Sequence, residues 1–169
     1  GAEIMKKILG TMVTIMVVAI LTGTVITSKT AIAGETGKDG RFIAYDNGTV
    51  LDTKTKLLWA AKDNGSNINW ENAKSYCENY RGGGYSDWRM PTQDELVGLY
   101  DTGKSQKVGC GSSRNHIVTD LINLTCWWAW ASESRGLEAA LFGFGGGGRY
   151  WGHRSGDVDF RALPVRSGK

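Results

Sequence analysis

"GGYSDWRMPTQDEL" runs from Gly83 to Leu96, and its reading decides the fold. Its second half is a helix start. Thr92 stands at the N-cap and Glu95 lies three residues on, so the two side chains satisfy each other's backbone donors in a capping box. Leu96, Leu99 and Tyr100 follow at helical spacing and form the inner face. The first half, Tyr85 to Pro91, is extended. Trp88 is a large apolar body expected in the core. Arg89 is expected to pair with a carboxylate, Glu95 or Asp87. That role is architectural, because no His or Cys stands beside it in sequence to make a nucleophile–base pair.

Working outward, Arg81 to Gly84 end an earlier helix, with glycine where the chain must leave it. Asn69 caps that helix, and Trp70, Ala73, Tyr76, Cys77 and Tyr80 make its apolar face. Upstream, Arg41 to Tyr45 and Thr49 to Leu51 read as short strands joined by Asp46-Asn47-Gly48, a hairpin signal. Leu57 to Ala60 is a further strand piece, and Trp59 belongs in the core. Downstream, Cys126 to Ala131, Ala139 to Phe144 and Arg161 to Val165 are strand candidates, and Lys104 to Asn115 is irregular. Within Trp127-Trp128-Ala129-Trp130, one or two indoles pack inside, and an outward one would join a binding face. The mixture is α+β in a single domain.

The ends carry different information. Met5-Lys6-Lys7, the apolar run Ile8 to Ile26 and Ala31-Ile32-Ala33 read as a secretory signal over residues 1–33, with a membrane anchor as the alternative. Residues 1–4 precede a start Met and look like an expression scar or upstream read-through. Residues 34–40 read as a flexible lead, and the domain proper as 41–169. The whole chain carries a net charge of +3. Removing residues 1–33 takes out Lys6, Lys7, Lys29 and Glu3 and brings the balance near neutral. Nucleic acid is therefore not an expected partner, and after cleavage nothing would remain to insert into a membrane. Export permits oxidation of the three cysteines. Cys77 sits on the helical apolar face. Cys110 and Cys126 flank a polar loop and are the expected disulfide, against three unpaired thiols as the alternative. No metal site is assigned, because both histidines stand alone and no C-x2-C occurs.

These segments carry a resemblance. "NGTVLDTKTKLLWAAK", "NWENAKSYCENYRGGGYSDWRMPTQDELVGLYD", "WAWASESRG" and "FRALPVRSGK" are together similar to the Lcl C-terminal-like domain family, from about Arg41 to Lys169. The resemblance implies a C-type-lectin-like fold related to the formylglycine-generating-enzyme group. That fold pairs its first and last strands, flanks a small twisted antiparallel sheet with two helices, and carries a long irregular region. The Glu-Pro-Asn, Gln-Pro-Asp and Trp-Asn-Asp tripeptides of calcium-dependent lectins are absent. Cys110 and Cys126 precede the region where formylglycine-generating enzymes carry reactive cysteines, so neither calcium-dependent sugar binding nor that catalysis is carried over. No enzyme activity and no cofactor are assigned.

The functional expectation falls on Gly143 to Phe160, "GFGGGGRYWGHRSGDVDF". Its G-x-G-x-x-G match lacks the following helix that a dinucleotide site needs. A linker is not so rich in aromatics and arginine. The segment has the chemistry of a binding loop, with rigid aromatics, arginine and adaptable glycine and serine. The expected ligand-contacting residues are Phe144, Gly145, Gly148, Arg149, Tyr150, Trp151, His153, Arg154, Asp157 and Asp159. Phe144, Tyr150 and Trp151 would anchor, while Arg149 and Arg154 would select polar or anionic groups. From Ala139 to Gly168 there is no Lys, Glu, Gln or Met, and Trp151 is the single Trp. That usage resembles the variable proteins of diversity-generating retroelements, whose AAY codons cannot yield those residues. The expectation is an exported protein, secreted, periplasmic or at the cell surface, that binds a protein or glycan ligand. The alternatives are a fixed-specificity glycan-binding adhesin-like module, an enzyme of the formylglycine-generating type and a structural surface-layer or appendage subunit.

Overall fold

A computed structural model describes residues 33–111 and 114–168. The expected signal lies outside the described residues except for Ala33. The first sheet contains β1 (Glu35–Asp39), β2 (Phe42–Tyr45), β3 (Thr49–Asp52) and β4 (Leu57–Ala60). Residues 35–39 are thus a strand rather than a flexible lead, held to β2 by antiparallel pairing from Asp39↔Phe42 to Glu35↔Tyr45. The β2–β3 hairpin turns at Asp46-Asn47-Gly48. Only Gly48 takes positive φ, at 77°, while the Asn47 carboxamide oxygen accepts from Thr49 N and Oγ1 and seals the turn.

Two helices follow, α1 (Trp70–Asn79) and α2 (Gln93–Val97). Both start where the caps predict. Asn69 accepts from Asn72 N at 3.0 Å, and Thr92 and Glu95 form the full capping box. The remaining strands are β5 (Gln106–Lys107), β6 (Arg114–Asn115), β7 (Trp128–Arg135), β8 (Glu138–Gly143), β9 (Gly148–His153), β10 (Phe160–Arg161) and β11 (Val165–Ser167). The expected strand at Arg161 to Val165 is therefore two pieces. β10 lies parallel to β7 in the second sheet, ordered β10-β7-β8-β9, and β11 lies antiparallel to β4 in the first, ordered β1-β2-β3-β4-β11. This corrects the expected pairing of first and last strands: they occupy opposite edges of one sheet. Fold class is α+β, largely antiparallel.

The core fills the space beside the second sheet on both faces. On one face Leu96 and Leu99 meet Trp59, Ala129, Phe142, Phe144 and Val165. On the other, Trp70, Ala73 and Cys77 meet Trp130 and Leu141. The two helices thus flank this sheet. Each fully buried large side chain stabilises by roughly 2–3 kcal/mol. Two of the core indoles find acceptors: Trp70 Nε1 donates to Ala131 O at 2.8 Å and Trp130 Nε1 to Ile68 O at 2.9 Å, whereas the buried Trp59 Nε1 has no partner among the described residues.

The opening stretch bolts these layers together. Trp88 is buried and donates to Gly82 O at 3.1 Å. Arg89 exchanges backbone bonds with Val165 at 2.9 and 3.0 Å, tying the segment to the final strand. Its guanidinium forks onto Glu95 at 2.7 and 2.6 Å, so of the two expected partners Glu95 is the one used. Asp87 instead receives Arg166, at 2.6 and 2.9 Å. Burial alone would raise the Glu95 carboxyl, but the Arg89 fork and the Thr92 N–H outweigh it and hold the value below the ordinary range. A depressed carboxylate contributes stability above its unfolded value and loses it as pH falls through the folded one. We expect the unfolding free energy to decline as pH drops below about 4, and Glu95→Gln to flatten that slope. At neutral pH the variant should lose about 1 kcal/mol, reduced by partial exposure. Urea unfolding at several pH values checks both.

Candidate functional site

The segment from Gly143 onward is a hairpin tip followed by an edge strand. Gly147 N donates to Gly143 O at 2.8 Å, and Gly147 takes φ 73°, which closes the tip. A strand, β9, follows the glycines where a nucleotide site would need a helix. Phe144 turns inward. It is fully buried, bonded through its backbone to Trp127 O and His116 N, and edge-packed on Phe142 at 4.9 Å. It is a core residue, which corrects its expected role as a ligand anchor.

The glycines seat aromatic rings. A Cβ on Gly143 would lie 2.5 Å from Trp128 Cζ3, and one on Gly111 would lie 2.8 Å from Trp127 Cζ2. A Cβ on Gly148 would strike the Tyr150 ring. Trp128 and Tyr150 meet edge to face at 4.9 Å. With Trp127 they wall a shallow cleft of about 270 Å³, floored by Gly143, Gly145 and Gly146. The Trp127 Nε1 donor is buried and has no partner among the described residues. Tyr150 stays 47% exposed.

Strand alternation divides the remaining expected residues. Tyr150 and Gly152 share the face of Leu141, Trp128 and Trp130. Arg149, Trp151 and His153 take the other side, in register with Phe142, Ala140 and Glu138. On that side Arg135 lies over the Trp151 ring at 4.2 Å and pairs with Glu138 at 3.0 Å. Arg149 reaches Asp94 at 2.5 Å. The expected single surface is therefore two surfaces that meet at the β9 edge. His153 is exposed, with Nδ1 2.7 Å from Ser155 Oγ, and Asp157 is exposed.

Two expected contact residues serve the scaffold. Arg154 packs over Trp70 at 4.4 Å and pairs with Glu71 at 2.7 Å, pinning the chain to the α1 start. Asp159 sits at φ 65° and its N–H donates to Asn67 Oδ1 at 3.2 Å. Beside it, Arg161 donates to Thr125 Oγ1 at 2.7 Å and to Asn67 Oδ1 at 2.8 Å. Asp63 accepts from Thr125 N at 2.7 Å and Gly65 N at 2.8 Å, with burial pushing its carboxyl upward.

Cys110 and Cys126 form the expected disulfide, and Cys77 is free and buried. Burial pushes the Cys77 thiol well above its ordinary range. The Asp159 carboxylate lies within 4.8 Å of both bonded sulfurs, but a disulfide offers no thiolate to a metal. The bridge points to an oxidising, non-cytoplasmic location. No helix among the described residues is long and apolar enough to cross a membrane.

One contributor was missed in the sequence. Gln93 donates to Leu141 O at 2.9 Å and Tyr150 O at 3.2 Å, and so fixes β9 against α2. Its place beside the N-cap gave no hint of this. No curated protein matches the chain. A family model does, over residues 48–166, and the chain belongs to the Lcl C-terminal domain family.

Proposed function

We propose that this chain is an exported binding module of C-type-lectin-like fold, and that the Trp127–Trp128–Tyr150 cleft holds its ligand. One observation carries the reading. Two indoles and a phenol stand around a glycine floor; the Tyr150 ring is exposed, and Trp127, which lines the cleft, has a buried Nε1 without a partner among the described residues. Such a cleft fits a ring or planar apolar face that carries a hydrogen-bond acceptor, from a sugar or a protein side chain. The scaffold does not need Tyr150 for folding, since its ring lies over Gly148 at the surface. Tyr150→Ala should therefore weaken binding about tenfold or more, as expected for an aromatic hot spot, with the unfolding midpoint nearly unchanged. The probes are a glycan array and a displayed peptide library. A ligand bound equally by the variant refutes the cleft.

The exposure pattern also limits where a retroelement would diversify this face. Among positions that AAY codons could vary, Gly145, Arg149, Tyr150, His153 and Asp157 are open, whereas Phe144, Gly148, Arg154 and Asp159 hold the scaffold; Trp151 is open but lies outside that set. Sequencing the gene from many cells of one population tests this. Differences confined to the open positions support diversification, and an invariant segment refutes it.

A further inference from the structure

The second sheet ends on β9, and no other strand among the described residues pairs with its outer edge. Pairing with β8 runs without a bulge from Gly148 to His153. Arg154 N donates to Leu137 O at 2.8 Å. Ladder alternation then makes Ala139–Gly152 and Leu141–Tyr150 the hydrogen-bonded pairs. Arg149, Trp151 and His153 consequently turn their backbone N–H and C=O outward. The His153 carbonyl already accepts from Gly156 N at 2.9 Å.

An open edge of this kind recruits another strand unless lysine, proline, a bulge or shortness blunts it. The other edges here are blunted. β1 carries Lys38 and a register shift between Glu35 and Gly37, and β10 and β11 are two and three residues long. β9 has six residues, with no Lys, no Pro and no bulge, and its arginine, Arg149, is drawn onto Asp94.

We propose that β9 pairs antiparallel with β9 of a second copy of this chain, joining two four-stranded sheets into one. The order of residues suits a two-fold axis at Trp151, which uses the whole open edge. Trp151 meets Trp151, and Arg149 meets His153. Behind His153 in the same row stand Glu138 and its partner Arg135, and Arg149 is already paired with Asp94, so the joint rests on the main-chain ladder and not on charge. Tyr150 of each copy faces Gly152 of the other, where no side chain obstructs the ring. The patch is self-complementary, as an isologous interface must be. A two-fold perpendicular to the sheet leaves both Trp128–Tyr150 clefts on one side, so the dimer is bivalent. The inference rests on main-chain geometry and stands whether or not the clefts bind a ligand.

Sedimentation equilibrium of the purified protein over a range of concentrations tests it, with Trp151→Pro alongside. Proline at 151 removes an outward donor together with the indole under Arg135, and spares the β8 ladder. A monomer–dimer equilibrium is expected, and the variant should raise its dissociation constant about tenfold or more. Hydrogen exchange on the unaltered protein gives a reading independent of the variant's folding. The Arg149 and Trp151 amides should gain protection as concentration rises, while the Tyr150 and Gly152 amides stay constant. A protein that is monomeric throughout overturns the proposal. So does a dimer whose Arg149 and Trp151 amides stay unprotected, or edge protection that appears only on adding a different protein.

Discussion

Gly143→Val is expected to destabilise the domain by about 2–3 kcal/mol, at the upper end for overpacking. The cause is local. A Cβ at Gly143 would lie 2.5, 3.0 and 3.1 Å from three atoms of the Trp128 ring, the cross-strand partner of Gly143. That ring cannot slide aside freely, because Tyr150 stands against its edge at 4.9 Å. Either β7 and β8 separate or the indole leaves its seat and the cleft is lost. Urea unfolding should show a lower midpoint with an unchanged slope. Gly143→Ala should move the same way by less. An unaltered midpoint in both variants would mean that Trp128 does not rest on Gly143.

Removing the disulfide has an effect of similar size. Cys110 and Cys126 are 16 residues apart, and opening that loop should cost about 3 kcal/mol. The bridge also supports the cleft: Cys126 precedes Trp127, and Gly111, beside Cys110, seats the Trp127 ring. Reductant should lower the thermal midpoint of the unaltered protein and leave that of Cys110→Ser/Cys126→Ser unmoved. Equal midpoints with and without reductant in the unaltered protein would show that the bridge does not constrain the unfolded chain.

Which elements were legible follows from how each is held. Helix starts were legible because their caps are local: Asn69 acts on Asn72 and Thr92 on Glu95, each three residues on. The Arg89–Glu95 fork was legible for the same reason. The strands β1 and β9 were not. Both are edge strands with exposed residues on each face, so their sequences show no alternation between apolar and polar positions. Their order comes from backbone ladders to β2 and β8. The placement of β11 beside β4 likewise follows from registers that no short window contains. At the site, composition identified the right segment but hid its division. Alternation along β9 sends Tyr150 to one side and Arg149 and Trp151 to the other, while Phe144 looks like its exposed aromatic neighbours and is buried. The cleft itself is a cross-strand product, since Trp128 reaches Tyr150 across β8.

The chain's seven tryptophans supply the most direct test, one indole N–H signal each in a nitrogen-15 NMR spectrum. The measurement is a titration with the ligand selected from the array or the peptide library. The account predicts that the Trp127 and Trp128 signals move, Trp127 most because its unpartnered donor gains an acceptor. Trp59, Trp70, Trp88 and Trp130, buried in the core, should stay in place. A bound ligand that leaves Trp127 and Trp128 unmoved would contradict the cleft as the binding site.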